Sequence, residues 1–310
     1  MSGVVGPRLS SIPYPYLLDE YPEAVAAYSN RLLSSTYSGP CLRVRRLFDN
    51  TTQDIGFAYI NGDWVIDSPA LMDFVTGPYG SWSFTGGLYV GVDGWGYVDR
   101  WYDQSGNGNY AYRTTFNQQQ VIVANGTQVS QFDKDNNRIP IPYLHSYIET
   151  PGDPFTTWDK PPLTLSSTIS IKSSFVHARV LSQVNINYVY FGSTTGGGGM
   201  WYNGTVPVAQ GIGFYDGSST FSLTGEDTKS HIAYHDIANG RMLIGKDGAA
   251  IQDLGATSNT SINVTHIAGR NDFDTLYLRG FVQEFIFYDK DQSANYQAIT
   301  DNINAYYNLY

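Results

Sequence analysis

The chain predicts an all-β fold, an antiparallel β-sandwich of jelly-roll type with short helices near its N-terminus and one helix at its C-terminus. Three observations carry this. From residue 164 onward, short β-prone runs follow one another: TLSSTISIK, SSFVHARVL, NYVYFG, SHIAYHD, RMLIG, NVTHIAG and FVQEFIFYD. Several alternate apolar with polar residues, the period of a strand that buries one face, and Gly, Asn and Asp turns divide them. The composition agrees. With 32 Gly, 25 Tyr, 42% hydrophobic and 15% charged residues, the chain is rich in turn formers and too apolar to be disordered.

The elements read as follows. Residues 1–18 form an extended arm, because Pro7, Pro13 and Pro15 exclude regular structure, and residues 19–310 form a single domain. In YPEAVAAYSNRLL, Val25, Tyr28 and Leu32 recur at helical spacing behind Pro22, which predicts a helix. The arginines of RVRR (Arg43 to Arg46) mostly alternate with apolar residues and read as a solvated strand face. A second short helix takes Ser68 as its N-cap and Pro69 in its first turn, presents Leu71, Phe74 and Val75 on one face, and stops at Gly77-Pro78. The polar, proline-bearing segment from Asn125 to Pro162 reads as a long loop. Ser293 caps a last helix, whose Ile299, Ile303, Tyr306 and Tyr310 recur at helical spacing.

Charge and composition narrow the function. A net charge of -10 and a pI near 4.8 argue against nucleic acid or anionic lipid as partner. No stretch approaches a membrane span, and MSGVVGPRLSSIPYPY lacks the apolar core of a signal peptide. The expectation is a protein that works where it is made, or that leaves by a route needing no signal, such as release of virus particles by lysis. The Asn-x-Ser/Thr sequons at Asn50, Asn125, Asn203, Asn259 and Asn263 then carry little meaning. Cys41 is alone, which excludes an intrachain disulfide and a cysteine-based zinc site. No cofactor is expected.

Chemistry-bearing motifs are few. His231 and His235 stand four apart, a zinc spacing on a helix, but in a strand this separates them by about 13 Å; they read as ordinary strand histidines. The run Gly196 to Gly199 lacks the Lys and Ser/Thr of a phosphate-binding loop and reads as flexible. Glu284 alternates with Val282, Ile286 and Tyr288, which suits a turn anchor or buried hydrogen bonds. The stretch WYDQSGNGNYAY suits a catalytic loop, a cation site or a tight turn. As a calcium loop it offers Asp103, Ser105 and Asn107 at alternate positions, but Thr114 stands where a bidentate carboxylate belongs. The turn is the favoured reading, with Asp103 and Asn107 bonding nearby backbone and Gly106 and Gly108 accepting positive φ. Asp103 and Asn107 remain weak metal candidates.

Two parts of the sequence resemble known families. AAYSNRLLSSTYSGP, LRVRR, DNTTQDIGF and WYDQSGNGN resemble the start of the catalytic domain of arabinofuranosidase B-type enzymes, glycoside hydrolase family 54. The stretch from RMLIGKDG through IAGRNDFDTLYLRGFVQEFIFYDKDQSANYQAITDNINAYY resembles the closing strands and helix of concanavalin-like, laminin-G-like sandwiches, as found on bacteriophage structural proteins. Both imply a concanavalin-like jelly roll. The first implies retaining hydrolysis, which needs a carboxylate nucleophile and a carboxylic acid about 5 Å apart. The acid's turn reads HIAGRND, so its position falls on Arg270, which cannot donate a proton at working pH; Asp272 follows two residues later. The nucleophile's stretch, GIGFYDGSS, holds Asp216 and no Glu, and Asp216 beside Gly217 also reads as a turn.

The resemblance therefore implies a shared scaffold, and an active arabinofuranosidase would require Asp216 and Asp272 to converge. The expectation is a non-enzymatic virion protein, a capsid decoration, fibre or spike subunit that displays a lectin-like sandwich. Its arm would dock on other virion proteins, and it would assemble as a homo-oligomer, commonly a trimer. Host-surface carbohydrate is the second expected partner. Trp201, Tyr202 and Trp82 are the candidates for stacking on sugar rings, with core or interface packing as their other reading.

Overall fold

The computed structural model describes residues 15–60, 62–77, 83–85, 88–90, 94–124, 126–128, 130–132, 138–142, 144–145, 161–180, 187–193, 198–203, 211–224, 230–269, 278 and 280–310. Along the chain come α1 (Leu17–Glu20), β1 (Ala24–Ser29), β2 (Leu42–Arg46), β3 (Thr52–Ile55), the hairpin β4 (Phe57–Ile60) and β5 (Asp63–Ile66), and α2 (Ser68–Thr76). Then follow β6 (Ser83–Thr85), β7 (Leu88–Val90), β8 (Gly96–Trp101), β9 (Ala111–Tyr112), β10 (Gln120–Ala124), β11 (Thr127–Gln128), β12 (Ser130–Phe132), β13 (Arg138–Pro142) and β14 (Leu144–His145). The second half supplies β15 (Leu163–Ile171), β16 (Ser173–Val180), β17 (Asn187–Gly192), β18 (Gly199–Asn203), β19 (Gly211–Tyr215) and β20 (Thr220–Thr224). It ends with β21 (Ser230–Asp236), β22 (Arg241–Lys246), β23 (Gln252–Ala256), β24 (Ile262–Ile267), β25 (Gly280–Tyr288) and α3 (Tyr296–Tyr307).

All pairings of these strands are antiparallel. The first sheet runs β23–β22–β21–β16–β25, with β1 and β14 sharing the far edge of β25. The second runs β20–β19–β18–β17–β24–β15–β9–β8–β2–β3. β10 joins them by pairing with both β14 and β8. The fold is the all-β sandwich that the alternating runs predict. Between the sheets lies one apolar core, to which Val176, Phe285 and Phe287 contribute from the first and Val44, Val98, Phe191, Met200 and Phe214 from the second. A second core lies on the outer side of the first sheet, where Ile299, Ile303, Tyr306 and Tyr307 of α3 cover Ala27, Phe175, Ile232, Ile286 and Tyr288.

Several expectations change. YPEAVAAYSNRLL holds a strand, not a helix: Ala26 and Tyr28 enter the central core while Ala24 and Ala27 enter the outer one. A strand covered on both faces reads as an unbroken apolar run, and a bulge between Ala24 and Ala26 breaks what period remains. Leu17 and Leu18, the end of the expected arm, lie buried in α1; residues 1–14 are outside the described residues. The cap of α2 lies one residue before the expected Ser68, because Asp67 accepts the N–H of Ala70 at 3.0 Å and Ser68 is already helical. The expected loop from Asn125 to Pro162 carries the short strands β11 to β14. Ser293 opens a 3-10 turn before α3, and Tyr310 lies beyond the helix end.

The RVRR face is not wholly solvated. Arg45 is 2% exposed, its guanidinium held between the rings of Tyr97 and Phe116 at 4.8 and 4.5 Å. It donates to Gln119 Oε1 (2.5 Å), Asn50 Oδ1 (2.7 Å) and the Phe116 carbonyl (3.1 Å).

Glu284 makes the buried hydrogen bonds its alternation suggested. Arg31 Nε and Nη2 donate to its two carboxylate oxygens, both at 2.9 Å, and Ser29 Oγ and Tyr307 Oη donate at 2.7 and 3.1 Å. Arg31 Nη1 donates to Asn302 Oδ1 at 2.9 Å, and Asn302 Nδ2 donates to the Pro15 carbonyl at 3.0 Å. Burial works against the Arg31 charge, but Glu284 outweighs it and pushes the guanidinium pKa up. Glu284→Ala or Arg31→Met leaves one charge buried alone, with an expected loss of about 3–5 kcal/mol. The check is a lowered urea midpoint at unchanged m; Arg241→Met, at the exposed pair with Asp253, should cost less than about 1 kcal/mol.

Burial pushes the fully enclosed His235 down to about 3. Its Nδ1 lies 2.5 Å from Ser174 Oγ, and its ring stacks on Phe214 at 4.1 Å. The folded state therefore refuses a proton that the unfolded chain takes up near pH 6.5, and stability falls as pH drops from there towards 3. In His235→Phe the slope of unfolding free energy between about pH 6 and 4 should be shallower by up to about 1.4 kcal/mol per pH unit. Equal slopes would refute this.

Candidate functional site

The stretch Trp101 to Tyr112 is a turn that closes on itself through Asp103 and hydrogen-bonds β1 and the segment after it. Asp103 accepts the N–H groups of Ala27, Ser105 and Asn109 at 2.8, 2.9 and 3.1 Å, and the Ser105 hydroxyl at 2.8 Å. Burial nonetheless lifts its carboxyl above the usual range. Asn107 Nδ2 donates to the Ala24 and Val25 carbonyls at 3.0 and 3.2 Å. Gly106 and Gly108 sit at φ 89° and 73°, where a side chain is strained. Gln104 acts as a clamp: its Oε1 accepts the Leu33 N–H at 2.8 Å, and its Nε2 donates to the Ser29 and Arg31 carbonyls at 2.8 and 3.0 Å. Both Asp103 oxygens are thus committed to protein donors. Among the described residues, no three His, Cys, Asp or Glu side chains group as a metal site.

By fixing residues 29–33, this turn sets the course of the next segment, Ser34 to Pro40. That segment separates two open concavities, and Tyr37, Ser38 and Gly39 line both. The first, about 410 Å³, is mostly polar, with Glu23, Ser34, Thr36, Gln104 and Ser105 in its wall. The second, about 610 Å³, is lined by Tyr16, Tyr37, Phe57 and Trp64, with Ser35, Ser38 and Asp54 among them. Trp64 and Tyr59 face each other across the β4–β5 hairpin with centroids 5.7 Å apart, and they are 43% and 61% exposed. Leu32 N–H donates to the Trp64 carbonyl at 2.9 Å, so the hairpin hangs on the clamped segment.

The groove is preformed. Tyr37 meets Phe57 edge-on at 6.2 Å and donates its hydroxyl to the Pro40 carbonyl at 2.8 Å. Arg43 grips Asp54 with two hydrogen bonds of 2.7 and 2.9 Å, and Tyr102 donates to the same carboxylate at 2.8 Å. The Arg43 contact holds the Asp54 pKa below the usual carboxylate range.

The residues singled out in the sequence lie elsewhere. Trp201 is half-buried on the outward side of β18, with its indole occupying the place where a Cβ at Gly213 would stand. The side chain of Tyr202, Trp82, Arg270 and Asp272 lie outside the described residues. Asp216 Oδ1 accepts the N–H groups of Ser218 and Ser219 at 2.8 and 2.7 Å and the Ser218 hydroxyl at 2.9 Å, while its Oδ2 accepts the Thr257 hydroxyl. Asn259 Nδ2 donates to the Asp216 carbonyl at 2.7 Å. Burial raises its pKa, but these donors outweigh that and hold the carboxyl low. Asp216 clips the β19–β20 turn to the loop after β23. The groove aromatics escaped the sequence reading, although FAYINGDWVI carries a signal for two of them: Asn61-Gly62 between alternating runs marks a hairpin with Phe57 on one strand and Trp64 on the other.

No protein-family model matches the sequence, and no curated protein does. Among solved structures, the fold is similar to that of a mutant glycoside hydrolase family 54 α-L-arabinofuranosidase soaked with 4-nitrophenyl α-L-arabinofuranoside. The TM-score is 0.62 at 13% identity, over 96% of this chain and 66% of that one, so the chain spans less than two thirds of that enzyme. Domain 4 of the family 43 arabinanase AbnA from Geobacillus stearothermophilus, in complex with arabinotriose, aligns at TM-score 0.33 and 11% identity, over 90% of this chain and 98% of that one. A Trypanosoma rangeli sialidase in complex with sialic acid aligns at 0.41 and 12%, over 86% and 44%. The first likeness shows a shared sandwich fold; the other two superpose too loosely to add to it.

If Asp216 is a structural clip, Asp216→Ala leaves backbone N–H groups without an acceptor. The expected loss of stability is about 1–3 kcal/mol, visible as a lowered Tm. An unchanged Tm would contradict the assignment.

Proposed function

We propose that this chain is a non-catalytic carbohydrate-binding sandwich, and that its sugar site is the groove lined by Tyr16, Tyr37, Phe57 and Trp64. The convergence of these four aromatic side chains on an open groove of about 610 Å³, with Ser35, Ser38 and Asp54 set between them, carries the reading. A sugar ring has an apolar face that stacks on aromatic rings and a rim of hydroxyls that needs donors and acceptors. Trp64, 43% exposed, and Phe57 supply the apolar surface, and the hydrogen-bonded Tyr37 and Asp54 lose little freedom when a ligand arrives. The fold likeness to an enzyme soaked with an arabinofuranoside supports a saccharide as ligand. Trp201, whose indole fills the place of a Cβ at Gly213 on the outward side of β18, is the alternative platform that the test below separates from the groove.

Two observations support the absence of catalysis: Arg270 stands where the resembled family has its acid, and four donors surround the Asp216 carboxylate. An active retaining hydrolase would need Asp216 and Asp272 about 5 Å apart. In the same reading the chain is a virion protein of decoration, fibre or spike type, a homo-oligomer docked through the part of its N-terminal arm that precedes Pro15. The resemblance of Arg241 to Tyr307 to bacteriophage structural proteins supports that assignment.

Native gels cast with neutral and acidic polysaccharides test the binding. Retarded migration without loss of polymer is the expected result. Trp64→Ala should weaken retardation about ten-fold, or 1.4 kcal/mol, while Trp201→Ala leaves it unchanged. The reverse pattern would move the site to the outward face of β18, and a cleared zone in the gel would overturn the non-catalytic reading. Free migration in every polymer would remove carbohydrate as ligand.

A further inference from the structure

On the outward face of the second sheet, strand register sets five side chains in one transverse row. Asp54 on β3 is the direct partner of Arg43 on β2, Arg43 of Arg100 on β8, Arg100 of Tyr112 on β9, and Tyr112 of Thr164 on β15. Direct partners in an antiparallel pair project to the same side, about 5 Å apart at Cβ, and two like charges so placed are destabilising. Two arginines in register therefore call for counter-charge.

Only one of the two receives it in full. Arg43 is bound by Asp54 through two short hydrogen bonds. The Arg100 guanidinium makes no hydrogen bond among the described residues; the carboxylate oxygen beside it, Asp99 Oδ2, stands 3.7 Å from its Nε. The other Asp99 oxygen accepts from Gln119 Nε2 at 3.2 Å. Arg100 is nevertheless held in place, with its guanidinium carbon 4.6 Å from the centre of the Tyr110 ring, which packs on Tyr112 at 5.6 Å. Its side chain is 35% exposed. Arg45 shows the contrast, buried on the same face with its donors committed to Gln119, Asn50 and the Phe116 carbonyl. A guanidinium fixed by a ring, open to solvent and short of acceptors is a receptor for a planar anion, above all a carboxylate bound through two N–H groups.

The row meets the aromatic groove at Asp54, which belongs to both. Arg100 lies two strands beyond it, roughly 10 Å away. We infer that the groove takes a glycan bearing a carboxylate, with Arg100 receiving the carboxylate while a neighbouring sugar ring stacks on Trp64 and Phe57. This rests on the sugar-binding reading above and names the class of sugar. The net charge of -10 repels a polyanion at a distance, so the preference arises at the contact itself.

The test is calorimetric titration of the full chain, at fixed salt, with uronate- and sialate-bearing oligosaccharides. Each is compared with the same oligosaccharide after reduction of its carboxyl groups. At least one acidic form should bind about ten-fold more tightly than its reduced form. Arg100→Gln should erase that difference while keeping the wild-type unfolding midpoint, and Arg100→Lys should keep part of it. Equal binding of every acidic and reduced pair, unchanged in Arg100→Gln, would overturn the carboxylate and leave the sugar reading standing. No binding to either form of any pair would overturn both. Inorganic phosphate displacing the acidic oligosaccharide at equal concentration would show an anion site with no part for the sugar ring, and would overturn the inference.

Discussion

The bidentate contact between Arg31 and Glu284 is the constraint around which the molecule closes. Neither charge is tenable alone in a dry interior, so every element that surrounds the pair must arrive in register. β1 supplies Ser29, β25 supplies the carboxylate, and α3 supplies Tyr307 and Asn302. The backbone beside Arg31 then does a second task. Its carbonyl takes a hydrogen bond from Gln104, its neighbour Leu32 holds the Trp64 carbonyl, and Asn30 accepts the N–H of Ile66 at 2.8 Å. The buried ion pair and the exposed aromatic hairpin are consequences of one short segment being fixed from both sides.

This separates two kinds of sequence resemblance. The residues of WYDQSGNGN are committed to holding β1, the segment after it and Ser166–Ser167, where Asn109 Oδ1 accepts the Ser166 hydroxyl at 2.9 Å and the Ser167 N–H at 3.0 Å. Those demands come from the sandwich, and any protein with this strand arrangement has use for them whatever it binds. The positions that the resemblance marks as catalytic are different: Arg270 and Asp216 depart from the resembled pattern, and the Asp216 carboxylate is taken up in clipping the β19–β20 turn to the loop after β23. Likeness of scaffold carries no function with it by itself.

Legibility in the sequence followed the physics of exposure. The runs that became β15, β16, β21, β22, β24 and β25 were readable because alternation and turn residues report burial on one side. β1 was not, since Ala26, Ala27, Tyr28 and Ser29 are all buried and no period of two survives. Asp216 and Asp103 were readable as turn residues, because each bonds backbone within a few positions of itself. Arg31 and Arg45 were not, as their partners lie 253 and 74 residues away and nothing local announces burial of a guanidinium. The groove was missed for a similar reason. Its aromatics come from Tyr16, Tyr37, Phe57 and Trp64, and only the hairpin pair carries a short-range signal.

The pairing of β1 with β25 also bears on how the chain reaches its fold. Ser29 and Glu284 are 255 positions apart, yet they are direct partners and share a hydrogen bond. During synthesis β1 emerges early and waits, with neither of its buried faces covered, until almost the whole domain has followed. Such long-range closure is slow and leaves apolar strand edges open to other chains in the meantime. The early segment that fixes the groove is thus among the last to acquire its partner, and the exposure of this chain to wrong pairing while it folds is set by its topology rather than by its final stability.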